Sequence, residues 1–456
     1  MFSLARKPSR RTGSNFAMAI ALATGTMVAT AGIALPAYAK EKKNDKEPKA
    51  DYSKGFVAAY TPVDKLSKAG DNEAAEAQLD GVVAAAETDD DKNAAGGLVY
   101  NVGVGLDDTD LQRRGLKLML DSGRLDQAKT GQFNYTSYQL AFQDNEYDVA
   151  REFLAAAIDA DYSFSGRLTD GTTRTFAADD LRMMLADIYF DEEDFEGGLG
   201  YIRTQIANRV AAGQTPPRDW LMRARAKAYN NDLALPAIEF ANEMVRYYPD
   251  IQNWRDAINI QRNLVLMDGP ELLDLMRLGH RLGTLETDRD YLEYADSAEV
   301  IRAPGEVKRI LDEGIAKGLV NRSEPAVSDV LKAANSSVDG DKRDLPNLEK
   351  EAMAASASTK FATNAADAFL SYEQYEKAEA LYQNALGRPD VDAALANMRL
   401  GIAQLSLGKL EDAKASFAKV TGQRRPVAAL WTVYADQLAK ESGTSAEATA
   451  EAASEI

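Results

Sequence analysis

The chain has 456 residues and a formal charge of −18, with 53 Lys and Arg against 71 Asp and Glu, and it contains one histidine and no cysteine. This composition excludes disulfides, thiolate-bound metals, thiol nucleophiles and any site built on two histidines. The acidic balance argues against a nucleic-acid partner, because such proteins need a net basic surface. No motif for a cofactor is present, and we expect none to be bound.

The amino-terminal 39 residues have the pattern of a secretory signal peptide. Residues 1–15 carry four positive charges and no negative one, residues 16–35 are apolar or small, and Pro36 precedes Ala37-Tyr38-Ala39. The small residues Ala37 and Ala39 match a signal-peptidase site, so we predict cleavage after Ala39. The mature protein is then expected in the bacterial periplasm or outside the cell, without a stable membrane anchor. The alternative is an uncleaved anchor, since 20 apolar residues can span a bilayer.

The rest of the chain divides by composition. Residues 40–59 are predicted to form a charged linker, and residues 441–456 a disordered acidic tail. Between them, apolar residues recur every three or four positions, which indicates amphipathic helices. We assign degenerate helical repeats to 60–335, a hinge loop to 336–346, and clearer repeats to 347–440. Residues 164–176 predict either a short β-hairpin turning at Asp170-Gly171 or a long loop.

Two carboxy-terminal segments share one spacing of small and large residues. Ala378, Tyr382 and Ala385 lie at i, i+4 and i+7, and Ala413, Phe417 and Val420 repeat this arrangement 35 residues later. Small residues let two helices approach, and the aromatic ring fills the space beside them. Weaker upstream matches lie at Ala75, Leu79, Val82; Ala150, Leu154, Ala157; Gly198, Ile202; Ala237, Ala241, Met244; and Val307, Leu311, Gly314.

This spacing resembles that of tetratricopeptide repeats (TPR), which are helix–turn–helix units of about 34 residues. The resemblance is specific in residues 365–420 and degenerate elsewhere in 60–440. It implies an all-α fold, a right-handed α-solenoid of TPR-like pairs with a concave groove. The alternative is an irregular helical solenoid of another kind.

The resemblance also implies that the first helix of each pair lines the groove and contacts a protein or peptide partner. The exposed positions predicted for that role are Tyr135, Gln139 and Phe142 in one unit and Trp220, Arg223, Lys227, Asn230 and Asn231 in another. Arg223, Lys227 and Asn231 are spaced i, i+4 and i+8, so they share one helix face and could donate hydrogen bonds to a carboxylate. A solvated polar face is the alternative interpretation.

A different first helix carries an apolar stripe. Leu395, Met398, Ile402 and Leu405 recur at helical spacing. They indicate packing either against a carboxy-terminal capping helix over 427–439 or against a second copy of the chain in a homodimer.

No group of residues predicts catalysis or metal binding. His280 has no titrating partner indicated by the sequence, and the acidic runs at 107–110 and 191–194 lack calcium-loop spacing and fit helix starts. The sequence therefore favours a non-catalytic interaction scaffold of the bacterial envelope. The alternative is a helical enzyme that cleaves envelope polysaccharide with paired carboxylates.

Overall fold

The structure, a computed structural model, describes residues 50–168 and 170–454, with side-chain surroundings up to residue 443. The predicted signal peptide, with its cleavage residues Ala37 and Ala39, lies outside the described residues. The chain divides into unit 1, which ends at Gln205, and unit 2, which begins at Ile206. None of the described helices is long and apolar enough to cross a membrane.

Unit 1 consists of consecutive helices and one hairpin. Its elements are α1 (Lys54–Lys68), α2 (Asn72–Glu76), α3 (Leu79–Ala84), α4 (Asp89–Leu106), α5 (Thr109–Asp121), α6 (Gln127–Gln143), α7 (Tyr147–Asp159), β1 (Phe164–Arg167), β2 (Thr173–Phe176) and α8 (Ala178–Asp191). The boundary between the units falls within α9 (Phe195–Ala211). Ala75, Leu79 and Val82 are buried as expected, but they belong to two short helices rather than one.

Unit 2 continues as helix pairs. Its elements are α10 (Arg218–Asn230), α11 (Ala234–Tyr247), α12 (Ile251–Leu264), α13 (Gly269–Leu282), α14 (Asp288–Ala298), α15 (Pro304–Ala316), α16 (Pro325–Met353), α17 (Thr359–Ser371), α18 (Tyr375–Leu386), α19 (Ala393–Ser406), α20 (Leu410–Phe417), a 3-10 turn (Gly422–Arg424) and α21 (Arg425–Ser454).

The repeat anchors explain the packing within each unit. Ala378, Tyr382 and Ala385 of α18 are fully buried where this helix packs on α17 and α19. In the next pair, Gly401 of α19 lies against the ring of Phe417. A Cβ atom at Gly401 would come within 2.5 Å of that ring, so the small residue is required there. The predicted all-α class of TPR-like helix–turn–helix pairs is confirmed.

The acidic runs cap helices. The Asp108 carboxylate accepts a hydrogen bond of 2.9 Å from the Leu111 amide at the start of α5, and Asp194 accepts one of 2.9 Å from the Gly197 amide at the start of α9. Carboxylates satisfy the unpaired amides of a first helical turn. Among the described residues, no group of three or more His, Asp or Glu side chains is placed to hold a metal ion.

The predicted linker and tail need correction at their inner ends. Helix α1 begins at Lys54 and buries Phe56 completely, so residues 54–59 belong to the fold and not to the linker 40–59. Helix α21 continues to Ser454, so the tail 441–456 is helical up to that residue instead of disordered. Its alanine and glutamate content favours a helix even without packing.

The predicted hinge over 336–346 is wrong. These residues lie inside α16, a continuous helix of 29 residues that contains Pro346. Pro346 removes one backbone hydrogen bond, but Leu331, Ala334, Leu345 and Ala352 share one face and are buried along the whole helix. Burial of this face outweighs the local cost of proline, so one long helix replaces a helix–turn–helix pair.

The hairpin prediction is confirmed. Strands β1 and β2 pair antiparallel, with Phe164 opposite Phe176 and Arg167 opposite Thr173. The rings of Phe164 and Phe176 stack with centroids 5.0 Å apart, and Phe164 also packs against Tyr135 of α6. These aromatic contacts anchor a two-stranded hairpin that would be marginal alone.

Candidate functional site

Helices α10, α12 and α14 lie side by side in unit 2 and form a common surface, called here the first-helix face. Arg218 pairs with Asp250 at 3.0 Å and Arg225 with Asp256 at 3.0 Å, which joins α10 to α12. Arg262 of α12 then pairs with Asp290 of α14 at 2.8 Å. These partners are separated by about one repeat, so equivalent positions of successive first helices meet, as a TPR-like array requires.

The predicted residues of α10 fall on this face with one exception. Arg223 and Lys227 are half-buried, and Asn230 and Asn231 are exposed. Asn231 donates a hydrogen bond of 2.8 Å to the Lys227 carbonyl, which ends the helix. The expectation that Trp220 is exposed is wrong: its ring is 2% exposed and packs beneath the Arg209 guanidinium, 5.5 Å from the ring centre.

Sequence reasoning missed two apolar residues on the same helix. Met222 is 45% exposed and Tyr229 is 37% exposed, and their i, i+7 spacing places them on one side of α10. Tyr229 also lies 3.4 Å from the Asn263 side-chain amide of α12. The helical spacing could have identified both residues, and tyrosine, methionine and arginine are enriched at protein interfaces.

A shallow depression of about 280 Å³ adjoins the face between α12 and the α13–α14 connection. Its lining includes Arg255, Arg262 and Arg289, but Glu286 binds Arg255, and Asp290 and Glu293 bind Arg262. These carboxylates neutralise the arginines, so the depression is polar without being strongly cationic.

The residues predicted in unit 1 split between core and surface. Tyr135 is 7% exposed and packs against Tyr138, Tyr162 and Phe164, so the expectation that it lines an open groove is wrong. Burial raises the pKa of Tyr135. The side chain of Gln139 is exposed.

Phe142 is half-buried between Tyr138 and Tyr147. The hairpin covers Tyr135, and no helical spacing within α6 could show this. The α6 residues belong to unit 1 and the α10 residues to unit 2.

One side of helix α21 packs against several helices of unit 2. The Trp431 indole donates to the Asp274 carbonyl of α13 at 3.0 Å, and Gln437 donates to the Val245 carbonyl of α11 at 2.6 Å. On the opposite side, Trp431 stacks on Phe417 of α20. The predicted capping helix over 427–439 is therefore present, and it packs against α11, α13 and α20.

The apolar stripe of α19 is accounted for by this packing. Met398, Ile402 and Leu405 are buried, Leu395 is half-buried, and α21 packs on α19 and α20. Within one chain, packing of α19 on α18, α20 and α21 buries most of the stripe, and the homodimer contact stays a prediction.

Buried charges join α13, α15 and α19. Arg277 makes two hydrogen bonds to Glu306, of 2.9 and 2.7 Å, and one of 3.0 Å to Asp274. Arg399 reaches the same Asp274 oxygen at 3.2 Å. Burial disfavours the charge on Glu306, but the Arg277 guanidinium holds the pKa of that carboxyl below its ordinary value. These ionised carboxylates are held by arginine and bind α13 to its neighbours.

His280 joins a smaller cluster beside this network. Its Nε2 atom lies 2.7 Å from Glu313, which also accepts hydrogen bonds from Tyr291 and Lys317. Burial alone would raise the pKa of Glu313, but the hydrogen bonds from Lys317 and His280 lower it to about 2. The histidine therefore has a partner that the sequence did not indicate, and this contact is a hydrogen bond between α13 and α15.

Comparison with known proteins finds matches among solved structures at low sequence identity. No protein-family model matches the chain, and no curated protein matches its sequence. The Naa15/Naa10 complex bound to HypK-THB matches at 12% identity over 82% of this chain and 58% of that one, with a TM-score of 0.32.

Two other solved structures show a similar degree of likeness. The maize pentatricopeptide repeat protein PPR10 matches at 14% identity, covering 83% of this chain and 52% of its own, with a TM-score of 0.25. The P58(IPK) TPR domain matches at 13% identity, covering 78% and 98%, with a TM-score of 0.20. The chain thus spans just over half the length of the first two.

Proposed function

We propose that this protein is a non-catalytic interaction scaffold of the bacterial periplasm, which binds a protein or peptide partner on the first-helix face of unit 2. The observation that carries the proposal is the surface of α10, where Met222 and Tyr229 are exposed on one side of the helix and Arg223, Lys227 and Asn230 lie on the adjoining side. The inter-helix ion pairs hold this surface on three parallel helices. A partner can therefore bind without paying for the ordering of a loop.

The chemistry of the face suits an extended or helical segment that ends in a carboxylate. Arginine, lysine and asparagine donate hydrogen bonds to carboxylate oxygens, and the methionine and tyrosine supply apolar area beside them. Helix α21 packs on α11, α13, α19 and α20, while Met222 and Tyr229 of α10 stay exposed and accessible to a partner.

Crosslinking in intact cells tests the proposal. A photoreactive amino acid replaces Met222, and a matched control replaces Val104 of unit 1, which is 53% exposed. We expect a discrete envelope protein to crosslink at position 222 and not at position 104, with mass spectrometry identifying it.

Charge reversal then tests the residues. R223E/K227E is expected to reduce the crosslinked product at least about tenfold, because like charges at an interface cost several kcal/mol. The control K65E/K68E makes the same charge change on exposed residues of α1 and should leave the product unchanged. Equal yields from the two double variants would contradict the proposed site.

The location has a separate test. Protein from the periplasmic fraction should begin at Lys40, as the Ala37-Tyr38-Ala39 sequence predicts. Intact-mass measurement distinguishes this from a chain that retains its first 39 residues and sediments with the membrane.

A further inference from the structure

The β1–β2 hairpin of unit 1 interrupts the succession of helices and rests on α6 through Phe164. It connects α7 to α8, and apart from Phe164, Gly166 and Phe176 its strand residues are exposed. A two-stranded hairpin is marginally stable by itself, and a third strand would add backbone hydrogen bonds to it.

The register shows which backbone groups the hairpin leaves unpaired. The Leu168 amide donates to the Thr172 carbonyl at 2.7 Å, which makes this a hydrogen-bonded pair. Antiparallel pairs alternate, so Gly166–Arg174 and Phe164–Phe176 are also bonded, whereas Ser165–Thr175 and Arg167–Thr173 are not. The close approach of the Ser165 and Thr175 hydroxyls, at 3.4 Å, fits a non-bonded pair.

The amides and carbonyls of Ser165 and Arg167 consequently point away from the hairpin along the outer edge of β1. Within the part of the chain that the structure describes, no hydrogen bond engages them. Strand β2 leads directly into α8, and its Arg174 is bound by Asp180 of that helix, so β1 is the more open of the two edges. An open strand edge is a template for a further strand.

The side chains along this edge select the chemistry of the added strand. Arg167 is exposed and, among the described residues, has no carboxylate partner, while Arg174 is bound by Asp180. The single acid of the hairpin turn, Asp170, accepts hydrogen bonds from Thr172. At the other end of β1, Tyr162 and Phe164 present half-buried rings.

We propose that β1 binds an extended acidic segment of a partner protein as a third strand. The backbone of the segment pairs with Ser165 and Arg167, a carboxylate meets the Arg167 guanidinium, and an apolar side chain packs on Tyr162 and Phe164. This site lies in unit 1 and is independent of the first-helix face of unit 2.

Proline substitutions distinguish pairing along the β1 edge from pairing along the β2 edge. In S165P the proline removes an amide that points outward from β1, and in T175P it removes the equivalent outward amide from β2. Both positions tolerate proline better than Gly166, whose amide bonds within the hairpin. The two variants therefore make the same chemical change on opposite edges of one residue pair.

The probes are two pools of synthetic eight-residue peptides, applied to the mature protein at millimolar concentration. In both pools β-branched or aromatic residues alternate with polar ones, the charged residue being glutamate in one pool and lysine in the other. Hydrogen–deuterium exchange with fragmentation measures protection of the Ser165 and Arg167 amides.

The glutamate pool should slow exchange of both amides, and the lysine pool should bind at least about tenfold more weakly. S165P should weaken the binding of the glutamate pool about tenfold through the lost hydrogen bond, whereas T175P should change it less than twofold. R167E should reverse the preference between the pools.

Three results would overturn the proposal. They are the absence of protection with either pool, equal losses in S165P and T175P, and protection that rises with protein concentration in the absence of peptide, which would show that β1 pairs with a second copy of the chain. Ring-proton shifts of Phe164 and Phe176 verify that the hairpin is intact in each variant.

Discussion

Replacing Arg399 with methionine tests the energetic importance of the buried charges in unit 2. Arg399 is 6% exposed and contacts Asp274 at 3.2 Å and Asp367 at 2.6 Å. Methionine keeps much of the side-chain volume but supplies neither the charge nor the hydrogen bonds. Asp274 is 1% exposed, so the loss falls mainly on that carboxylate.

The expected loss in free energy of unfolding is about 3–5 kcal/mol, the range for removing one partner of a buried ion pair. Asp274 keeps one hydrogen bond, from Arg277 at 3.0 Å, and its Oδ2 atom has no partner even in the wild type. Asp367 loses less because it is 28% exposed and retains the Tyr382 hydroxyl.

Urea unfolding followed by tryptophan fluorescence measures the effect, since Trp431 bonds to the Asp274 carbonyl. The double variant D274N/R399M should recover at least about 1 kcal/mol, because it no longer buries an uncompensated carboxylate. K117M on the exposed Lys117–Asp121 pair should cost less than about 0.5 kcal/mol. A loss below about 1 kcal/mol in R399M, or no recovery in the double variant, would refute the assigned role.

Substitutions of Glu313, Gly401 and Gly340 test local contacts through the stability of the fold. Glu313 has its pKa lowered from 4.5 to about 2, so its ion pairs stabilise the fold above about pH 4.5, and that contribution is lost as the pH falls toward 2. E313Q should therefore lower stability at pH 7 and flatten the fall in stability between pH 4.5 and 2; a fall as steep as that of the wild type would exclude this role. G401A should cost about 1–3 kcal/mol, because its Cβ would lie 2.5 Å from the Phe417 ring. G340A, in open space on α16, should instead stabilise by about 0.5–1 kcal/mol. A lower urea midpoint in G340A would contradict the continuous helix, and an unchanged midpoint in G401A would contradict the close contact with Phe417.

Sequence patterns predicted the repeat anchors because those contacts are nearly local. Ala378, Tyr382 and Ala385 pack against the adjoining helices, and their spacing alone identifies the buried side. The hinge prediction failed at Gly340 and Pro346, since local propensity was outweighed by a buried face that runs through both. Because the single helix α16 takes the place of a helix–turn–helix pair, the period in the sequence does not give the number of repeats.

The candidate site was only partly predictable. Helical spacing placed Arg223, Lys227 and Asn231 on one side of α10, but it could not show that Arg209 covers Trp220. The pairing of Asp274 with Arg399 was beyond reach, because 125 residues separate the two and each looks like an ordinary surface charge in sequence. Contacts between residues so far apart in sequence depend on how the helices of different repeats pack together.

The packing of α21 against helices made much earlier has a consequence for biosynthesis. Asp274 meets Trp431 across 157 residues, so at roughly 5–20 residues per second the ribosome needs about 8–30 s to make the second partner after the first. Before α21 is made, the faces of α11 and α13 that it contacts have no packing partner, whereas Arg277 already reaches Asp274 and Glu306, which lie near it in sequence. A chain that ends before α21 would therefore leave α11 and α13 incompletely packed, although most of its helices have already been made.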